Sequence, residues 1–113
     1  MKLEELYKKV FVACVQFAVY QKKQVQKDIE KILPDLKKFT NDFFVKNKYG
    51  IQEEDYIFLQ KFLLNILQDF MEGMENRDRV LLEDTLEYGL KPFLELFFDE
   101  QDLIKLREET MDE

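Results

Sequence analysis

The residues of this 113-residue chain that could carry out chemistry are its carboxylates, lysines and tyrosines and a single cysteine. Histidine is absent, and the sequence contains no serine either. Serine triads, cysteine–histidine pairs, histidine general bases and most zinc or di-iron sites need one of those two residue types. An enzyme built from this sequence would therefore have to use carboxylates, lysines or tyrosines, and an all-carboxylate site could hold Mg²⁺ or Ca²⁺.

The densest group of carboxylates is formed by Asp99, Glu100 and Asp102. These residues lack the spacing of an EF-hand loop, and acidic residues are also favoured in the first turn of a helix. We therefore predict the start of a helix here, and neither a metal site nor a cofactor. A carboxylate-based, Mg²⁺-dependent enzyme is the alternative to a protein without enzymatic activity.

The one cysteine, Cys14, lies between Val10 and Phe17 on an apolar helical stripe. We predict a small buried side chain rather than a nucleophile, because no imidazole is present to activate it. A lone cysteine fits a reducing compartment. The charged residues within Met1–Glu5 argue against a cleaved signal, and the apolar run Val10–Tyr20 is too short to span a bilayer. We expect a cytoplasmic protein.

The net charge of −7 is distributed unevenly along the chain. Residues 1–50 carry a balance of +5 and residues 51–113 a balance of −12. We expect the two halves to compensate each other in a folded bundle, and the overall acidity argues against nucleic-acid binding. Peripheral membrane association through the lysine-rich early region is a weaker alternative.

The periodicity of apolar residues predicts an all-α protein, a single helical-bundle domain over residues 1–113. We predict four main helices and a fifth, short C-terminal one. The first is expected from Lys2 to Leu33, where Pro34 breaks or restarts the helix, and the second from Pro34 to Val45. After a loop at Lys46–Gly50, the third is expected from Glu53 to Glu75 and should be the most buried.

The second half of the chain carries several signals for helix ends. Asp78 is predicted to cap a helix that begins at Arg79. Gly89 and Pro92 predict a kink or a brief break near residues 88–91 of that helix. Asp99 is predicted to cap a terminal helix that runs through Arg107, and residues 108–113 are expected to fray.

Apolar residues outnumber the interior positions that a bundle of this size offers. The chain contains eleven phenylalanines, and two adjacent pairs of them cannot easily bury both rings, since neighbours on a helix point about 100° apart. We predict an apolar groove that binds a partner helix or a second copy of the chain. Its candidate residues are Val12, Val15, Val19, Phe43, Phe44, Met71, Met74, Phe97 and Phe98.

The segments Asn76–Tyr88 and Leu90–Leu94 resemble a pattern in small, uncharacterised helical proteins of Firmicutes bacteria. The apolar helix over Leu63–Met74, the turn with Asp78 and the helix that follows are also distantly similar in layout to flagellar export chaperones. That resemblance implies an acidic bundle that covers an aggregation-prone helix of a secreted partner. The break at Gly89 and Pro92 departs from the chaperone pattern, and the resemblance carries over no functional residue.

Overall fold

The computed structural model describes residues 3–20 and 25–111, and the side chains of residues 3–16 and 26–110. Every regular element within these ranges is helical, so the all-α prediction is confirmed. No described helix is both long enough and apolar enough to cross a bilayer. The elements are α1 (Leu3–Tyr20), α2 (Val25–Val45), α3 (Glu53–Asn76), α4 (Arg79–Asp84), a π segment (Thr85–Leu90), α5 (Lys91–Glu95) and α6 (Glu100–Met111).

The predicted single helix from Lys2 to Leu33 is wrong, because α1 and α2 pack side by side. The ammonium of Lys9 on α1 donates a hydrogen bond of 2.5 Å to the Asp35 carboxylate on α2. In one continuous helix, 26 residues would separate these groups by about 39 Å. Apolar residues repeat with one helical period in both segments, so the period alone does not reveal that two helices are present. Residues 21–24 lie outside the described ranges.

The predicted break at Pro34 is also wrong, since α2 continues through it. The exposed ring of Pro34 occupies the solvent side of the helix. Ile32 and Leu36, on either side of the proline, are buried on the same face. The packing of that face offsets the backbone hydrogen bond that the proline removes.

The loop and the third helix form where they were predicted. Gly50 adopts a φ of 65°, a conformation that costs glycine little. The Asn47 side chain accepts a hydrogen bond of 3.0 Å from the Ile51 amide and donates one to the Ile51 carbonyl, which closes the turn. α3 begins at Glu53 and ends at Asn76, one residue beyond the predicted end.

The stretch from residue 79 to residue 95 is helical throughout, and its predicted irregularity is a π turn. Asp78 caps α4, as predicted, by accepting a hydrogen bond of 3.1 Å from the Leu81 amide. The Lys91 amide donates to the Leu86 carbonyl five residues earlier, which is the π pattern. Pro92 follows at once, so the widened turn accommodates a ring that would strain a regular α-helix.

The terminal helix α6 begins as predicted and ends later. Asp99 accepts a hydrogen bond of 2.7 Å from the Asp102 amide, the geometry of a helix cap. α6 then extends to Met111, four residues beyond the predicted end at Arg107. The three acidic residues predicted to start a helix therefore do so.

A cluster of four phenylalanine rings lies at the centre of the core. Phe39 and Phe43 come from α2, Phe93 comes from α5, and Phe97 follows one turn later. Each ring centroid lies 5.5 to 6.4 Å from the other three. We call these residues the phenylalanine tetrad. Side chains of α1, α3 and the π segment are buried around it, among them Leu6, Tyr7, Val10, Cys14, Leu63, Ile66, Phe70, Leu86 and Leu90.

The prediction that α3 would be the most buried helix is wrong. The helix buries Leu63, Ile66, Phe70 and Gly73, on one narrow face. Its contacts are mainly with α2, α4 and the π segment, so the opposite side has no helical neighbour among the described elements. Apolar residues therefore reach the surface on this helix.

We expect the substitution Pro34→Ala to stabilise the protein. Alanine restores an amide donor for the Glu30 carbonyl within α2, and a proline in a helix interior costs up to about 3 kcal/mol relative to alanine. A gain of about 1–3 kcal/mol in the free energy of unfolding is expected from urea denaturation. The matched control, Lys38→Ala, lies exposed on the same helix and should change the free energy by less than about 0.5 kcal/mol. A loss of stability in Pro34→Ala would contradict the account of α2.

Candidate functional site

Three apolar residues on α3 form an exposed stripe, which we call the α3 seam. Ile57, Leu64 and Met71 follow one another at intervals of seven residues, so they lie on one side of the helix. Their side chains are 44%, 50% and 66% exposed. A repeat of seven with apolar residues is the spacing by which one helix packs along another.

A shallow groove between α2 and α3 runs beside the seam. Its apolar walls are Phe44 from α2 and Leu64 and Leu67 from α3. The groove has a volume of about 300 Å³, and its polar lining consists of Lys37, Thr40 and Asn41. Leu64 belongs to both the seam and the groove, so the two apolar surfaces adjoin.

A second apolar depression lies on the other flank of α3, where the helix meets the end of α5. Phe58 and Leu96 are exposed at its edge, and Asp55 is its one charged lining residue. The depression has a volume of about 480 Å³. The Tyr49 and Phe97 rings, 4.6 Å apart at their centroids, lie within it. Burial raises the pKa of the Tyr49 hydroxyl, which remains protonated at neutral pH.

The nine residues predicted for the partner site lie at several places in the structure. Phe44 and Met71 are exposed and belong to the surface formed by the α3 seam and its groove. Val12 is exposed elsewhere, at a cavity of about 580 Å³ between α1 and α2. Val15 is half-buried on α1, and Val19 lies outside the residues whose side chains are described.

Phe43 is a correction to that prediction, because its ring is buried in the phenylalanine tetrad. On α2 it follows Phe39 by four residues and lies on the buried face, whereas Phe44 points about 100° away and is exposed. Met74, Phe97 and Phe98 are half-buried and pack against the core. The predicted residues therefore do not form a single groove.

Ile57 and Leu64 are exposed on α3, the half-buried Leu67 lines its groove, and all three are missing from the predicted set. The signal was present in the sequence, as an apolar residue at every seventh position from 57 to 71. The helix carries apolar residues around most of its circumference, so the spacing of this stripe did not distinguish it from the buried one.

The residues considered for chemistry occupy structural positions. Cys14 is buried, and burial, together with the charge of Glu87, raises the pKa of its thiol to about 12. The Asp99 carboxylate accepts the hydrogen bond of a helix cap. In the part of the chain that is described, no three cysteine or carboxylate side chains come together as a metal site would require.

A polar cluster joins α1, α5 and α6. The Tyr7 hydroxyl donates a hydrogen bond of 2.6 Å to the Glu95 carboxylate, and the Arg107 guanidinium donates one of 2.5 Å to the same oxygen. Burial acts to raise the pKa of Glu95, but the hydrogen bonds from Tyr7 and Arg107 outweigh it and lower the pKa overall. Burial and the bond to Glu95 raise the pKa of Tyr7 to about 12.

We expect Glu95 to contribute to acid unfolding. Its pKa is lower in the folded state, so the stabilisation is present above the ordinary carboxyl value of about 4.3 and is lost as the pH falls through the folded value. In Glu95→Gln, the free energy of unfolding, measured in urea from pH 7 to pH 3, should fall less steeply than in the unsubstituted protein. The exposed Glu72→Gln should keep the original slope. Equal slopes in all three proteins would contradict the stabilising role of the cluster.

The geometry defines a small helical bundle whose third helix leaves an apolar stripe uncovered. The family model described as a domain of unknown function (DUF8042) matches residues 3–100, and the chain belongs to that family. No curated protein and no solved structure matches the sequence. The matched segment contains α1 to α5 and ends at the first residue of α6.

Proposed function

We propose that this protein is a non-enzymatic interaction module that binds one amphipathic helix of a partner protein along the α3 seam. The observation that carries the proposal is the exposure of Ile57, Leu64 and Met71 at heptad spacing beside an apolar groove. Contiguous apolar surface of this kind usually marks a site of association. Helix-in-groove recognition uses anchors at this spacing.

The dimensions of the seam suit a short helix. From Ile57 to Met71 it covers fifteen residues of α3, and the fourteen steps between them give a length of about 21 Å at 1.5 Å per residue. A partner helix of about four turns would cover that length. Leu67 at the base of the groove and Phe44 on its far wall would then contact the apolar face of the partner.

The charges beside the seam favour a basic partner over a second copy of the chain. Glu54, Lys61, Glu72 and Glu75 are exposed on α3 near the seam. Two antiparallel copies of α3 centred on Leu64 would bring Glu53 and Glu54 next to Glu75 of the other copy. Two parallel copies would align identical acids. Because the whole chain also carries a charge of −7, a partner helix flanked by lysine or arginine is the better match.

We place this activity in the bacterial cytoplasm and consider it chaperone-like. The resemblance to small Firmicutes proteins and to flagellar export chaperones supports that view, since such chaperones shield an apolar helix until it is secreted. The single cysteine, Cys14, fits a reducing compartment. The matched family is described only as a domain of unknown function, so it neither supports nor opposes this activity.

The two alternative functions draw less support from the described contacts. The Asp99 carboxylate, part of the cluster considered for Mg²⁺, bonds the Asp102 amide, which supports a capping role. Lys9, one of the early lysines considered for membrane contact, pairs with Asp35. We therefore favour the interaction module over the enzyme and the peripheral membrane protein.

The test uses two synthetic 15-residue helical peptides, each with leucines at alternating third and fourth positions. One peptide carries lysines beside the leucines, and the other carries glutamates. We expect fluorescence anisotropy to show binding of the lysine peptide alone. Leu64→Asp should weaken that binding by about tenfold or more, because an aspartate in the interface loses apolar contact and is desolvated.

The matched control is Val80→Asp, which adds the same charge at a side chain as exposed as that of Met71. It lies outside the groove on α4 and should bind the lysine peptide as tightly as the unsubstituted protein. Because both variants gain a negative charge, simple attraction to lysine would strengthen binding in both. Equal affinities of the two variants would overturn the proposal. A dimer of the 13.8 kDa chain in sedimentation that Leu64→Asp dissociates would replace the partner helix by a second copy.

A further inference from the structure

Helix α6 is attached to the rest of the protein by a small number of contacts. Among its described side chains only Leu106 is buried, while Leu103 is half-buried and Ile104 is exposed. Its main neighbour is α1. The buried Leu106, the half-buried Leu103 and a few polar contacts must therefore offset the entropy lost in ordering twelve residues.

The polar contacts of α6 centre on one arginine. The Arg107 guanidinium donates a hydrogen bond of 2.5 Å to the Glu95 carboxylate and one of 3.2 Å to the Tyr7 hydroxyl oxygen. Its central carbon lies 6.0 Å from the centroid of the Phe11 ring. We call Tyr7, Phe11 and Glu95 the arginine site. A carboxylate, a phenol oxygen and an aromatic face are three groups that a guanidinium recognises.

The arginine site belongs to the body of the protein and not to α6. Tyr7 and Phe11 lie on α1 and Glu95 lies on α5, all within the segment that the family model matches. The pair of Lys8 and Glu109, 2.9 Å apart, adds a second ionic contact between α1 and α6. The Tyr7–Glu95 hydrogen bond is made within the body itself, and α6 is the helix that covers these groups.

We propose that this surface of α1 and α5 is a second binding site, specific for an amphipathic helix that presents two leucines three residues apart followed directly by an arginine. α6 has that pattern in Leu103, Leu106 and Arg107 and occupies the site within its own chain. A partner helix with the same pattern binds by displacing α6. This inference goes beyond the proposed function, because the site shares no residue with the α3 seam or its groove.

The experiment uses the full-length chain with the substitution Arg107→Glu. A glutamate facing Glu95 turns the attraction into repulsion and releases α6 while the arginine site remains intact. We expect the α6 amides to exchange with deuterium at least tenfold faster than in the unsubstituted protein, and those of α1 and α3 to keep their rates. A labelled peptide with the sequence of residues 99–111 should then bind the variant, and it should bind the unsubstituted protein at least tenfold more weakly, because there it must first displace α6.

Two controls separate the arginine site from general charge effects. Arg79→Glu reverses a charge in the exposed Arg79–Glu83 pair on α4 and should leave α6 protected and the peptide as weakly bound as it is to the unsubstituted protein. A peptide with glutamate in place of its arginine should not bind the Arg107→Glu chain.

The proposal is overturned if the folded Arg107→Glu chain fails to bind the peptide, or if its α6 amides keep their rates. It is also overturned if, in the unsubstituted protein, the α6 amides exchange as slowly as those of α1, since α6 would then open only with the whole fold. If Arg107→Glu does not fold, the exchange rates of the α6 and α1 amides in the unsubstituted protein test the proposal by themselves. Equal affinity of the peptide for both variants and for the unsubstituted chain would show that it binds elsewhere and would equally refute the proposal.

Discussion

The mutual packing of the phenylalanine tetrad is the interaction on which the rest of the fold depends. It joins two segments that lie about fifty residues apart, with Phe39 and Phe43 on one side and Phe93 and Phe97 on the other. Each ring touches the other three, mostly edge to face, the arrangement that the aromatic quadrupole favours. Once these rings are in contact, α2 and α5 are fixed relative to each other, and α1 and α3 pack against the result.

The tetrad also accounts for the one-sided burial of α3. The helix reaches the tetrad through Phe62, which stacks on Phe93 with ring centroids 6.0 Å apart, and through Tyr56, which donates a hydrogen bond to the Phe43 carbonyl. Both contacts lie on the inner side of the helix. The rings from α2 and α5 already pack against each other, so α3 adds to the core from outside. No element among the described residues covers its far side.

Local signals in the sequence were sufficient for much of the fold. The start of α3 follows from the three acids in its first turn, which the helix dipole favours. The caps at Asp78 and Asp99 and the turn at Gly50 follow from residue types that suit the local backbone. Where the outcome depends on tertiary packing, the local signal gave a wrong prediction, as it did for the helix break at Pro34. Pro34 removes a hydrogen bond but lies within a helix whose buried face continues past it, a balance that is set by the neighbouring helices.

The sequence predicts that the candidate site is apolar, but it does not predict which residues form the site. An excess of apolar residues was evident from composition, and twelve large apolar side chains are exposed in the described ranges. Which of them would be exposed depended on how the helices pair. Phe43 and Phe44 illustrate this: they are adjacent and chemically identical, yet one belongs to the tetrad and the other lines the groove.

The π segment from Thr85 to Leu90 determines the direction in which the second half of the tetrad points. A turn closed by a bond from Lys91 to Leu86 takes up one residue more than a regular turn, and one residue corresponds to about 100° of rotation. Without that extra residue, Phe93 and Phe97 would face a different neighbour than α2. The wide turn before Pro92 thus sets the rotation of α5 about its axis. Deleting or inserting one residue in this stretch would turn Phe93 and Phe97 away from α2, so its length is constrained as the rings themselves are.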